Sequence, residues 1–461
     1  MSQHDGLNRR SFLRNVGMTA VAGAVGSSTP LAAAAAGSAL SAEPVDGKYD
    51  FDTPYNRFGT DSTKYDSPNR TYGAGSVVVG MGIADMDFRV APPITKALMD
   101  RMQHENWGYL DMGGPAVKSF TDGIIAWNKK RHGINVNPES VVITTGVHPG
   151  IIAALKTFCP PGSKVLLNTP TYNGFYGDLR ASATKAEENV MKVVDGRYSI
   201  DFEDFERRIS HDTNAFILCN PQNPTGNTWS PEDLMRLGEI CLRRRVVVLA
   251  DEIHCDFVHA GNKYTPFATL PNEAVVRNSV TFKSASKSFN LVGTKCAYFF
   301  STNPEYLARI RAWHREEVTT LGVVAHRAAY TEGDAWLDQL RTYLDGNMTF
   351  VADYVAKNIP LVRMVKPQGT YLAWLDVSAV VDKVGARAAA EQQNRQRDPA
   401  LSPLTPSHVM EKWFVEHARV QLNPGGGFGT GGAERMRMNC GTSRKMLERA
   451  LGNLASAMRA V

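Results

Sequence analysis

Lys287 lies in the stretch FKSASKSFN, a lone amine among small hydroxyl residues just after the β-branched run NSVT. In a tight, Ser-rich corner at the end of a buried strand, an ammonium loses hydration and gives up its proton readily, which frees the amine for Schiff-base chemistry. Three other stretches offer it partners. TTGVHPG (144–150) joins an apolar run to a helical one, with Pro149 suited to a first helical turn. The backbone N–H groups of Gly146, Val147 and His148 would then face a docked anion. CNPQNPTG (219–226) contributes the amide of Asn223, and ADEIH (250–254) contributes the carboxylate of Asp251 and the imidazole of His254. Singly, each has a plain structural explanation: a solvated loop lysine, a strand-end cap, an ordinary turn.

The elements that carry these residues give them a common address. SVVITTG, KVLLNTP, NAFILCNP, VVVLADEI, SVTFKSAS and CAYFFS read as strands; PGIIAALKTF, DFEDFERRI and SPEDLMRLGEICLRRR read as helices. The last helix opens at Ser230 or Pro231 and places Leu234, Leu237 and Cys241 on one face. The later strands are continuous apolar runs, as in a sheet covered on both faces. This alternation predicts an α/β fold with a mostly parallel central sheet covered by helices, forming a large domain over residues 94–335. After NPEYLARIRAWHREEV the text reads as helical to about residue 358, and GTYLAWLDV as a strand of a smaller α+β domain. That domain is built from residues 43–93 and 336–461, and its polar, Pro-punctuated stretch 385–406 reads as an exposed insertion. Ligands of open α/β sheets bind beyond the carboxyl ends of the strands. There this chain gathers an anion nest, an amide, a carboxylate, an imidazole and an amine, the set that pyridoxal 5'-phosphate requires.

Composition narrows the field. The chain has 461 residues, 43% hydrophobic and 21% charged, with ample material for a large core. The net charge of +5 is small, and residues 1–42 account for part of it through Arg9, Arg10 and Arg14 against Asp5. No basic block or aromatic-basic stripe follows, which argues against a nucleic-acid partner. NRRSFLRN ahead of a weakly apolar Ala/Gly stretch resembles a twin-arginine export signal, which implies a bacterial periplasmic or otherwise exported protein with no stable membrane insertion. A disordered Ala-rich tail is the plainer reading of that stretch. The six cysteines (Cys159, Cys219, Cys241, Cys255, Cys296, Cys440) lie far apart and form no C-x-x-C, so they read as core thiols rather than metal ligands or a disulfide framework.

The chain resembles the fold-type I pyridoxal-phosphate enzymes of the class I/II aminotransferase superfamily, and within them the MalY/PatB group of cystathionine β-lyases. The resemblance rests on ADMDFRVAPPI, WGYLDMGG, NPQNPTGNTWSPEDLMRLGEIC, DEIHCDFVHAGNKYTPFATL and SASKSFNLVGTK, and resumes at LNPGGGFG and RMNC. It implies that Lys287 links covalently to the cofactor and that Asp251 keeps the pyridine nitrogen protonated. Asn223 and His254 bond the ring's phenolic oxygen, and Tyr172 stacks on the ring. Ser284, Lys295 and the amides of Gly146 and Val147 hold the phosphate. Tyr109 reaches the phosphate of a neighbouring subunit, implying a homodimer, and Arg437 clamps the substrate carboxylate, with Arg435, two residues away, as the alternative. Gln222 stands where the family has histidine, and Gly82 where the group often has an aromatic. Both, with the 385–406 insertion, are expected to bear on substrate choice. The resemblance favours β-elimination from cystathionine or a cysteine S-conjugate. An exported aminotransferase is the alternative, and a non-catalytic cofactor-binding module the third reading.

Overall fold

The computed structural model describes residues 43–315 and 317–461. The leader expected over residues 1–42 lies outside them. The described residues form one compact unit, built around a seven-stranded sheet. Its strands in chain order are β1 (Val141–Thr144), β2 (Lys164–Thr169), β3 (Lys185–Val190), β4 (Thr213–Cys219), β5 (Val247–Asp251), β6 (Ser279–Lys283) and β7 (Ala297–Phe300). In space they run β1-β7-β6-β5-β4-β2-β3. All pairs are parallel except the two made by β7, which is antiparallel to both β1 and β6.

The strands read as apolar runs because both faces are buried. Side chains alternate across a sheet, and here Val165, Leu167 and Ile217 enter one core while Leu166, Phe216 and Leu218 enter another on the opposite face. Helix Val147–Phe158 packs in the first core, and helix Pro231–Arg243 in the second through Leu234, Leu237 and Cys241. The second helix starts as expected: Pro231 occupies its first turn and the Ser230 hydroxyl accepts from the Asp233 N–H at 3.0 Å. Strand β3 has no counterpart in the sequence reading. It is an edge strand with the polar text KAEENV, paired on one side only, so burial never forced an apolar run on it.

A second sheet of three antiparallel strands, β8 (Leu372–Asp376), β9 (Asn423–Pro424) and β10 (Arg435–Asn439), has the order β8-β10-β9. Helices Asp334–Asn358, Pro406–Ala418 and Arg444–Met458 share its core with Val79 and Met81 from the N-terminal segment. The helical text to about residue 358 forms two helices, Thr320–Glu332 and Asp334–Asn358. One expectation needs correction. The stretch 385–406 is not simply an exposed insertion. Its first half is the helix Ala386–Arg395, which buries Ala386 and Ala390, one turn apart, against its neighbours. Asn394 then clasps Leu404, donating to its carbonyl and accepting from its N–H, both at 2.8 Å.

Candidate active site

Parallel strands end at one edge of the main sheet, and a cavity of about 400 Å³ opens there. Its lining includes Gly146, Val147 and His148 after β1, Tyr172 after β2 and Asn223 after β4. Asp251 and His254 come from the end of β5, and Ser286 and Lys287 from the turn after β6. Lys295 reaches the same edge by a different route. It precedes β7, and only because β7 runs antiparallel does its start lie beside its neighbours' ends.

Gly146 caps helix Val147–Phe158, so the first free N–H groups of that helix face the cavity. Lys287 is partly accessible, and its Nζ donates to the Ala84 carbonyl at 3.1 Å. Burial, then the nearby Arg437 charge, brings its amine down to about 8. Asp251 is buried, and burial pushes its carboxyl up to about 6. The Ile253 N–H donates to it at 3.1 Å, and no lysine, arginine or histidine among the described residues forms an ion pair with it. His254 is buried, and burial drives its imidazole pKa well below the ordinary value, which keeps the ring neutral.

Arg437, on β10, is 2% exposed and sits over the Phe428 ring at 5.0 Å. Its Nη1 donates to Asn223 Oδ1 at 3.2 Å and its Nη2 to the Gly82 carbonyl at 2.8 Å. Arg435 faces Asp376 instead, at 2.8 Å, so the alternative clamp is already engaged by an acid. The segment 82–87 is a strap whose carbonyls tie these groups together. Tyr371 donates to Ala84 O at 2.9 Å, and Asn439 to Ile83 O and Asp85 O at 2.6 Å each.

Several expected residues are placed differently. Ser284 does not line the cavity. It caps the short helix Ala285–Ser288, accepting from the Ser286 N–H at 3.0 Å and donating to Cys296 O at 2.8 Å, so Ser286 is the hydroxyl that faces inward. Gln222 also faces away: its Nε2 donates to Asn168 O at 3.2 Å and Pro170 O at 3.0 Å, stitching two strand ends together. At Gly82 a Cβ would lie 2.3 Å from Gln421 Oε1, so Gln421 fills the room an aromatic would take. Tyr109 stands fully exposed, outside the cavity of its own chain. The sequence reading assigned no side-chain role to His148. Its ring lines the cavity, with Nδ1 at 2.8 Å from Asp178 Oδ2.

Three groups at this edge lack the partner their chemistry requires. Among the described residues Asp251 forms no ion pair, His254 Nδ1 is buried without a hydrogen-bond partner, and so is Arg437 Nε. A ligand with a cationic ring nitrogen and a hydrogen-bonding oxygen, followed by a carboxylate, satisfies all three, and the helix N-terminus beside Lys295 suits a phosphate. These residues fit pyridoxal phosphate.

Residues 76–454 match the family of class I and II aminotransferases, and the chain belongs to that family. Its fold is the aspartate-aminotransferase-like fold of fold-type I pyridoxal-phosphate enzymes. It is 36% identical over 415 residues to cystathionine beta-lyase PatB of Bacillus subtilis, covering 88% of this chain and 99% of that one. It is 30% identical to protein MalY of Escherichia coli over 423 residues, covering 90% and 100%. The pyridoxal-phosphate-bound C-S lyase of Staphylococcus hominis superposes with a TM-score of 0.78 at 27% identity, covering 89% of this chain and 98% of that one.

Proposed function

We propose that this protein is a pyridoxal-phosphate-dependent carbon–sulfur β-lyase releasing pyruvate, ammonia and a thiol from cystathionine or an S-substituted cysteine. The observation that carries the reading is Lys287 facing a cavity shared with Asp251, Asn223 and His254, with the buried Arg437 bonded to Asn223. The names of the relatives, cystathionine beta-lyase and C-S lyase, support elimination over transfer.

When bound, pyridoxal phosphate supplies an aldehyde that condenses with amines and a ring that withdraws electrons from the substrate's Cα. Lys287 Nζ would hold the cofactor and, when its amine is free, would take the Cα proton; its lowered pKa suits it to both roles. The Asp251 carboxylate, which forms no ion pair among the described residues, would keep a proton on the ring nitrogen. Asn223 and the neutral His254 offer N–H donors to the ring oxygen, and Tyr172 covers the ring face. The N–H groups of Gly146 and Val147, the Ser286 hydroxyl and Lys295 hold the phosphate. Arg437 would grip the substrate carboxylate through a guanidinium that no acid among the described residues neutralises.

The same reading includes a homodimer and export. Tyr109 and the half-exposed Trp107 lie together on the surface, which supports Tyr109 serving a neighbouring subunit's phosphate. NRRSFLRN followed by the Ala/Gly stretch supports twin-arginine export to the periplasm.

The test supplies purified holoenzyme with cystathionine or S-methylcysteine and no keto acid, and measures pyruvate and thiol. Both are expected. If neither forms, and the amino group instead passes to 2-oxoglutarate once that is added, the aminotransferase reading replaces this one. If neither reaction occurs in cofactor-saturated protein, the chain is a binding module.

A further inference from the structure

We propose that Asp178 and His148 set the direction in which the Tyr172 hydroxyl offers its proton to the cavity, which makes His148 a positioning residue of the site. Three observations converge on this relay. First, Asp178 is 4% exposed and both its oxygens reach His148 Nδ1, at 2.9 and 2.8 Å, so the ring is fixed as an Nδ1–H donor. Second, His148 Nε2 lies 3.4 Å from Tyr172 Oη, and the two rings lie 5.5 Å apart at 35°. Third, a Cβ at Gly174 would fall 2.5 Å from Tyr172 Cε1 and 2.6 Å from His148 Cε1, so the pair packs over a position that tolerates no side chain.

The hydrogen-bond inventory of imidazole then dictates a polarity switch. Neutral His148, protonated at Nδ1, accepts at Nε2, so Tyr172 points its O–H toward the histidine and shows the cavity only lone pairs. Protonated His148 donates from Nε2, so the Tyr172 O–H turns outward and becomes a donor to whatever occupies the cavity. The groups facing His148 are Asp178 from the following helix, Asp251 from β5 and Lys287 from the turn after β6, besides Tyr172. The Asp178 hydrogen bond raises the histidine pKa most, and Asp251 adds to it; burial and Lys287 oppose. The donor form of Tyr172 therefore persists to a higher pH than an unassisted histidine would allow. What Tyr172 meets in the cavity rests on the cofactor reading above; the relay itself does not.

The test has two arms. In the cofactor-free protein labelled with ¹⁵N-histidine, His148 is expected to titrate above the ordinary histidine value. Asp178→Asn lowers that midpoint by one pH unit or more and Asp178→Glu restores most of it. Tyr172→Phe and Gly174→Ala both displace the Nε2 resonance. In the holoenzyme, the limb of the kcat/KM profile that falls as pH rises moves with Asp178→Asn by the same amount. His148→Gln, whose amide does not titrate in this range, loses that limb whatever its rate. An unmoved midpoint in Asp178→Asn, or an unmoved Nε2 resonance in Tyr172→Phe, overturns the relay. Wild-type protein that captures no cofactor overturns the functional reading instead and leaves the resonance arm intact.

Discussion

Arg435 and Arg437 project from the same face of one strand, and among the described residues only Arg435 is matched with a carboxylate, Asp376 at 2.8 Å. Arg437 is the more deeply buried of the two, and its guanidinium meets an amide and a carbonyl rather than an acid. A charge-assisted bidentate contact is worth about 2–3 kcal/mol. Arg437→Ala should therefore raise KM for an amino-acid substrate about a hundredfold, while Arg435→Ala stays within about threefold. Initial rates over a substrate series decide it; the reverse ranking would transfer the clamp to Arg435.

Asp251→Asn should still take up cofactor, because the nest after β1 and Lys287 are untouched, yet lose most turnover. A neutral amide cannot keep the ring nitrogen protonated, and the loss of one such electrostatic partner costs about 10²–10³ in kcat. Steady-state rates at saturating cofactor check this, and near-wild-type turnover removes Asp251 from the chemistry.

Cofactor capture should follow the Lys287 amine. Its pKa lies at about 8, below the ordinary lysine value, so the reactive neutral form grows as pH rises and saturates above that point. Stopped-flow capture of pyridoxal phosphate by cofactor-free protein should accelerate about tenfold per pH unit below the midpoint and flatten above it. Arg437→Gln removes the second cause of the lowering and should move the midpoint upward. Lys287→Ala should fold normally and show neither capture nor turnover. A flat profile, or capture by the alanine variant, is the contrary result.

Arg9→Lys combined with Arg10→Lys should retain the precursor in the cytoplasm, because the guanidinium pair, not its charge alone, is what distinguishes a twin-arginine leader. Fractionation of cells producing each form gives the answer; equal periplasmic yields would discard the export proposal.

Much of the sheet was legible because burial on both faces imposes continuous apolar text, and the strand ends then fixed where Asp251, Asn223 and Lys287 must meet. What stayed hidden depends on contacts remote in sequence. Ser284 and Ser286 are two residues apart with the same chemistry, and the choice between them is made by Cys296, whose carbonyl draws the Ser284 hydroxyl away from the cavity. The carbonyls of the 82–87 strap carry no side-chain signature at all. His148 became a functional candidate only once helix Gly174–Ala181 brought Asp178 beside it. Helix Ala386–Arg395 escaped notice because only two alanines mark its buried side.

The reversed strand β7 has an architectural consequence. Because the chain turns back at the sheet edge instead of crossing over a face, Ser286, Lys287 and Lys295 belong to one ribbon of backbone that never leaves that edge. The anchor for the aldehyde and one anchor for the phosphate are thus spaced by a single short loop through Leu291 and Thr294, like two jaws of a caliper on a common bar. A residue inserted or deleted in that loop would reset the gauge for the whole cofactor at once, so this ribbon should tolerate exchange of its side chains far better than any change in its length.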